Sequence, residues 1–452
     1  MINIQKYNSL NDYLQDQSRP AGECAVSQIG NTIKYDGVNV ILKENQLNED
    51  SVCSVFIDTL TGEKVYVPVE TLSLAVLDTS RYTIQNYVLF GMSNGKKLFI
   101  SGVQQSSKKW AEDNWYKIEC DLTANGGFDW AITINGTAKS GTVAWEADAT
   151  LDSIVTQLQT GAVSNRLIFS HVAEEDFIRV TVNNYSNSTF TLTNNTGATL
   201  TDLSTFCKVG GVDQPTAHHQ WQGVSVKTLF DAYPGCSPST TLYGRNKLNM
   251  SYRAGANLAK YKQYYRGSNG SATYVAETGG RMSEQGFANL NGSGNADAQA
   301  LYDKYNGSWD AYMEAGMVWV DSTYRSSMEF KSYDNGKACN DFLASVTTMN
   351  FAGEYVPAFP AAALAAQTTI AGEAGCLPTI HEIALFMEDE RMAKINIGLD
   401  AINGTKLANS TSNWAVGEYT AHTAWLYSGN SGYITNNTKY YSFGARPVLA
   451  SA

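Results

Sequence analysis

Gly375-Cys-Leu-Pro-Thr-Ile-His-Glu-Ile-Ala-Leu-Phe-Met387 is the stretch whose reading decides the fold of the C-terminal half. Thr379 and Glu382 stand three apart ahead of an apolar run, the Thr-x-x-Glu pattern of a helix-capping box. Ile380, Ile383, Ala384 and Met387 then follow a helical period and form one apolar stripe. The spacing predicts a helix that begins at Thr379 and buries that stripe against the sheet formed by the end of the chain. That end reads Trp414-Ala-Val-Gly-Glu-Tyr-Thr-Ala-His-Thr-Ala-Trp425, then a Gly-, Asn-, Ser- and Tyr-rich segment to Ser442, then Gly444-Ala-Arg-Pro-Val448.

Upstream, Asn335-Gly-Lys-Ala-Cys-Asn340 leads into a predicted helix carrying Phe342, Leu343 and Val346. Pro360 starts an Ala-rich helix, since proline is tolerated in a first turn. Ala298, Leu301, Tyr302, Tyr305, Trp309 and Tyr312 also follow a helical period, which Gly307 weakens. Residues 245–295 read as long ordered loops.

The N-terminal half is patterned for strands. Asn31–Tyr35 and Val38–Leu42 flank Asp36-Gly37, a hairpin signal. Val52–Asp58 and Lys64–Val67 flank Thr61-Gly62, and Pro68 fits a strand end. Tyr87–Phe90 and Lys97–Ile100 flank Asn94-Gly95. Phe128, Trp130, Ile132 and Ile134 alternate onto one face before Asn135-Gly136, and Ile178, Val180 and Val182 alternate later. Leu151, Ile154, Val155 and Leu158 fall at helical spacing within this β-rich stretch. The predicted fold class is multidomain, with sandwich-like all-β modules followed by an α+β domain. The expected boundaries are 1–106, 107–210 and 211–452.

Composition narrows the function classes. The chain has 452 residues, 43% hydrophobic, only 17% charged, with net charge −11. An acidic protein is a poor partner for nucleic acid or an anionic membrane. No apolar run approaches the roughly 18 residues of a membrane span, and the N-terminus lacks the basic-then-apolar pattern of a signal peptide. The seven cysteines form no Cys-x-x-Cys pair, so most are expected to be small buried apolar residues. An exported style of composition without signal or disulfide framework fits a phage protein assembled in the host cytoplasm.

Gly375–Ile383, Trp414, Ala424-Trp425, Gly432 and Arg446-Pro447-Val448 together resemble the "LPS-x-x-EL … WSS-x-E … AW … G … RPV" pattern of C-type-lectin-like domains. Those domains are related to the formylglycine-generating-enzyme fold and are common in gut bacteria and their phages. The likeness covers about 320–452, more weakly 211–319. The N-terminal modules are similar in style to virion proteins of crAss-like and other tailed phages. One departure stands at 415–417, where Ala-Val-Gly replaces the pattern's Ser-Ser-x.

The resemblance implies a virion head or tail fibre or decoration protein. Its N-terminal module would contact other virion proteins, and its C-terminal domain would bind a host surface glycan or protein. A homo-oligomer, a trimer by analogy with fibres, would add multivalency. In some members of this family a retroelement rewrites adenine-containing codons in the C-terminal segment, leaving residues such as Asn, Tyr, Ser and Thr. The candidate ligand-binding residues are Tyr419, Thr420, His422, Tyr427, Asn430, Tyr433, Thr435, Asn436, Asn437, Tyr440 and Tyr441. Tyrosine offers a stiff amphipathic face and Asn or Thr adaptable hydrogen bonds. Trp414, Trp425 and Arg446 are expected to be buried framework. The alternatives are a purely structural virion component and a bacterial surface adhesin.

Catalytic and metal signatures are incomplete. His381-Glu382 begins a zinc motif whose second histidine is replaced by Leu385, and Glu382 is better read as a cap. His218-His219 lacks further ligands. Gln214-Pro215-Thr and Trp414-Ala do not complete the motifs of calcium-dependent lectins. There is no Gly-x-Ser-x-Gly elbow and no phosphate-binding loop. Cys339 and Cys376 stand where the binding proteins carry small or apolar residues, not the paired thiols of the oxidase branch. No enzyme activity, no metal and no cofactor are expected.

Overall fold

A computed structural model describes residues 38–213 and 333–451, apart from 94, 113, 135–136, 162–166, 183–188, 388, 408–411, 419–422 and 430–432. It also describes 6–7, 22–26, 31–35, 251–252, 263–264 and a few residues between 288 and 308. The described residues are mostly β-sheet with a small number of helices.

The first five-stranded sheet joins strands between Cys53 and Ser101 to the last described strand. Its order is Val448–Ser451, Lys96–Ser101, Tyr82–Ser93, Cys53–Asp58, Lys64–Pro68. Neighbours run antiparallel, and the final strand sets Val448 opposite Ile100 and Ser451 opposite Lys97. Val88, Leu89, Phe90, Phe99 and Ile100 are all buried, so these strands are apolar on both faces. The strands flanking Asn94-Gly95 pair as read, Ser93 opposite Lys96, with Gly95 at φ +77°; Asn94 lies outside the described residues. The pairing of Cys53–Asp58 with Lys64–Pro68 also follows the sequence, with Pro68 at the strand end. Asn31–Tyr35 pairs with Val40–Ile41, Tyr35 opposite Val40.

The second five-stranded sheet runs Tyr433–Thr438, Thr423–Ser428, Ser412–Glu418, Phe443–Ala445, Gln105–Lys108. It too takes one strand from before residue 110. A helix, Ile380–Phe386, lies between the two sheets. Phe386 meets Phe90 of the first sheet edge-on at 5.7 Å and Tyr427 of the second at 5.1 Å. Ile383 and Met387 of the expected stripe are buried beside it. Emptying a site like that of Phe386 removes both transfer energy and packing.

The helix starts as its sequence predicts. Thr379 Oγ1 accepts from Glu382 N–H at 3.3 Å, and Glu382 Oε2 accepts from Thr379 N–H at 2.8 Å. The predicted Pro360 helix spans Pro360–Gln367, and the helix Leu151–Gly161 is present. Two helix expectations need correction. Tyr333–Ser345 ends one residue before Val346, because Val346 pairs with Val209 in a small four-stranded sheet. The period read over 298–312 is interrupted at Asn306 and Gly307, where φ is +52° and +69°. Gly307 N–H there closes on Tyr302 O at 3.0 Å; Ala298, Leu301, Tyr305, Trp309 and Tyr312 lie outside the described residues.

Residues 114–202 form a two-sheet sandwich. One sheet has the order Leu167–Ser170, Phe177–Val182, Asn114–Cys120, Ala198–Asp202. The other has Thr137–Trp145, Gly126–Ile134, Thr191–Thr196. Phe128, Trp130, Ile132, Ile134, Ile178, Val180 and Val182 all point into its core, as the alternation predicted.

The expected boundary at 106 does not fall at a break in the packing. Val40, Val55, Phe90 and Ile100 share a core with Ile383, Trp425, Tyr427 and Val448. Trp110 and Ala111, just before the sandwich, share a second core with Cys207, just after it, and with Leu343, Trp414 and Leu426. The sandwich is therefore an insertion into one body built from both ends. The physical reason is strand pairing at long sequence separation, which leaves no local signal. Deleting residues 446–452 should expose the edge Lys96–Ser101. Amide exchange in Tyr82–Ser93 should then rise by orders of magnitude, and unchanged protection there would contradict the shared body.

Candidate functional site

The C-terminal segment divides into a buried frame and a surface turn. Trp414, Trp425 and Arg446 are fully buried, as expected. Trp414 Nε1–H donates to Lys108 O at 3.1 Å. Arg446 sends Nη1–H to Ser101 O at 3.1 Å and Nη2–H to Thr405 O at 2.6 Å. It thus ties the loop after the first sheet's second strand to the loop after the helix Asp389–Ala401. Its described partners are oxygens of Ser101, Thr405 and Gln104, which take the Nη donors, while the buried Nε–H finds no hydrogen-bond partner among the described residues.

Tyr427 is a correction. It was expected on the ligand surface, yet it is 0% exposed and packs edge-on against Phe386. Burial pushes its hydroxyl well above the ordinary value, with Arg446 nearby pulling the other way. Strand alternation decides this: Trp425 and Tyr427 are two residues apart on Thr423–Ser428 and share a core face.

Among the other expected residues, Tyr419, Thr420, His422 and Asn430 lie outside the described residues. Tyr433, Thr435 and Asn436 lie on Tyr433–Thr438, paired with Ser428, Leu426 and Trp425 respectively; their side chains are outside the described set. Asn437 is half-buried and its Oδ1 accepts from Thr438 N–H at 2.8 Å. Tyr440 is half-buried against the second core, and Tyr441 is 45% exposed.

The turn that carries these two tyrosines is built from below. Trp414 packs on Phe443 at 5.0 Å, Phe443 on Tyr441 at 5.9 Å, and Tyr441 on Tyr440 at 4.5 Å between ring centroids. The row runs from the core to the surface. Lys439 is fully buried, with its Nζ 4.7 Å from the Trp110 ring centroid, a distance that suits a cation–π contact. Trp110 N–H donates to Lys439 O at 3.2 Å and Trp110 Nε1–H to Ala415 O at 2.9 Å. The Ala-Val-Gly departure at 415–417 thus has a place. The ladder loses register between Trp414 and Glu418, and Val416 N–H turns to Pro378 O at 3.0 Å.

No protein-family model, curated protein or solved structure matches this chain. Among the described residues no group of three His, Cys, Asp or Glu side chains could hold a metal ion. Cys53, Cys207, Cys339 and Cys376 are buried free thiols. Burial pushes the Cys207 thiol up to about 12, so it stays protonated and unreactive at neutral pH. No helix among the described residues is long and apolar enough to cross a membrane. Sequence reasoning missed Lys439, Phe443 and Trp110 as supports of the turn. Their only signal was an aromatic and a lysine at positions without periodic partners.

Glu382, under the same frame, is fully buried. Burial pushes its carboxyl above the ordinary 4.5, against hydrogen bonds from Thr379 that pull it down. A carboxyl with a raised folded-state pKa keeps its proton after the unfolded chain has lost its own. The stability it contributes is full below pH 4.5 and is lost as pH rises through the folded-state value. Glu382→Gln should flatten that decline in a series of thermal melts across pH. Tyr427→Ala should cost about 3–5 kcal/mol in urea unfolding, and Tyr441→Ala no more than about 0.5 kcal/mol. Equal costs would remove the division between frame and surface.

Proposed function

We propose that this chain is a phage virion protein, a head or tail fibre or decoration, that binds the host cell surface through its C-terminal segment. The observation that carries the reading is the aromatic row Trp414, Phe443, Tyr441, Tyr440, in which the Tyr441 ring is exposed on a braced turn. A ring held by packing below loses little freedom on binding, and a tyrosine face suits both glycan and protein surfaces. The sequence likeness to C-type-lectin-like domains over 320–452 supports the same choice of surface. The ligand-binding set becomes Tyr440 and Tyr441 on the turn, with Tyr433, Thr435, Asn436 and Asn437 on the strand that leads into it; Tyr427 is excluded. Tyr419, Thr420, His422 and Asn430 stay in the proposal on sequence alone.

In this reading no chemistry is catalysed. Attachment to other virion proteins is assigned to the N-terminal strands, and a homotrimer would multiply a weak site. The test is binding of the full chain to a glycan array and to whole gut bacteria. Tyr440→Ala with Tyr441→Ala should weaken binding about tenfold or more, the scale of interfacial tyrosine hot spots, while the melting curve stays close to wild type. Unchanged binding by a folded double variant would refute the assignment. Loss of incorporation into particles, with cell binding intact, would favour the structural virion role.

A further inference from the structure

The sandwich does not hang from the body by its two chain connections alone. Its sheet containing Asn114–Cys120 and Phe177–Val182 turns Tyr116, Ile118, Ile178 and Val180 inward. The alternate, outward positions of such a sheet are usually polar. Here they include Trp115 and Phe177, only 8% and 6% exposed. What covers them is Phe351 of the body. Its ring lies 5.8 Å from Trp115 and 6.3 Å from Phe177, and the Arg179 guanidinium carbon is 5.0 Å from its centroid.

Both sides of this contact are stiffened. Phe351 sits in the turn between Val346–Met349 and Tyr355–Pro357. That turn is closed by Asn350 N–H to Glu354 O at 2.8 Å, Gly353 N–H to Asn350 O at 3.0 Å and Glu354 N–H to Asn350 Oδ1 at 2.9 Å. On the sandwich, Glu175 accepts from Arg179 Nε–H at 2.7 Å and so aims the guanidinium. Lys117 Nζ lies 4.3 Å from the Phe177 centroid and 3.0 Å from Glu119. A ring packed on two aromatics and a guanidinium is a strong contact for its size, because dispersion and cation–π attraction act on the same ring. A further contact between the units, that of the turn Leu203–Thr205 with Val346–Met349, continues the sandwich's last strand and so belongs to one of the connections.

We propose that Phe351 is a latch that fixes the orientation of the inserted sandwich on the body, and that without it the sandwich swings about its two connections. A latched sandwich holds a constant direction relative to the Tyr440–Tyr441 turn. Presentation of either surface then carries no further ordering cost.

The test uses the full chain. Phe351→Ala should raise the undocked population roughly ten- to hundredfold, about 1.4–2.8 kcal/mol. The readouts are a larger radius of gyration in small-angle scattering and a sandwich melting transition that separates from that of the body. Phe351→Trp keeps an aromatic face and should restore both. Arg179→Met removes the cation but keeps the stem; it should give a smaller change in the same direction, and it carries the test if Phe351→Ala does not fold. Scattering and melting profiles of the folded variants that superimpose on wild type would overturn the latch.

Discussion

Closure of the first sheet by the last strand is the constraint on which the rest depends. Val448–Ser451 has no partner near it in the chain; its ladder is made with Lys96–Ser101. That pairing brings Arg446 to the carbonyls of Ser101 and Thr405, and leaves Phe443–Ala445 beside Gln105–Lys108 in the second sheet. A buried guanidinium becomes more costly still if the carbonyls that take its Nη donors are displaced. Arg446 therefore favours one register of the strand that follows it over its neighbours. Contacts at this sequence separation pay a large closure entropy before they return any burial.

The body explains how the sandwich can be inserted without cost to either core. The chain leaves through Trp110 and Ala111 and comes back through Cys207, and all three sit in one apolar cluster. Each end of the insert is thus clamped by the body's own packing. The same Trp110 covers Lys439 and holds the surface turn from beneath. One aromatic residue therefore serves both the insertion point and the candidate site, which a division into consecutive domains could not have suggested.

Local features were legible in the sequence. The capping box at Thr379 and Glu382, the hairpin that sets Ser93 opposite Lys96, the proline at the start of Pro360–Gln367 and the alternation of Phe128 to Ile134 each depend on neighbours within a few residues. The burial of Trp414, Trp425 and Arg446 agrees with what was expected of them as framework residues. Tyr427 was not. Its composition suited a binding surface, but the pleat of its strand put it on the Trp425 side, and Phe386 closed over it.

By itself the sequence determined the strand-rich modules, the capped helix and the tyrosine-rich character of the C-terminal segment, because propensity, period and turn chemistry act over short range. Only the tertiary structure decided that the two ends share one body, that the sandwich is inserted within it, and which tyrosines reach the surface. Those outcomes rest on ladder pairing and side-chain burial between residues hundreds of positions apart, where no local pattern records the partner.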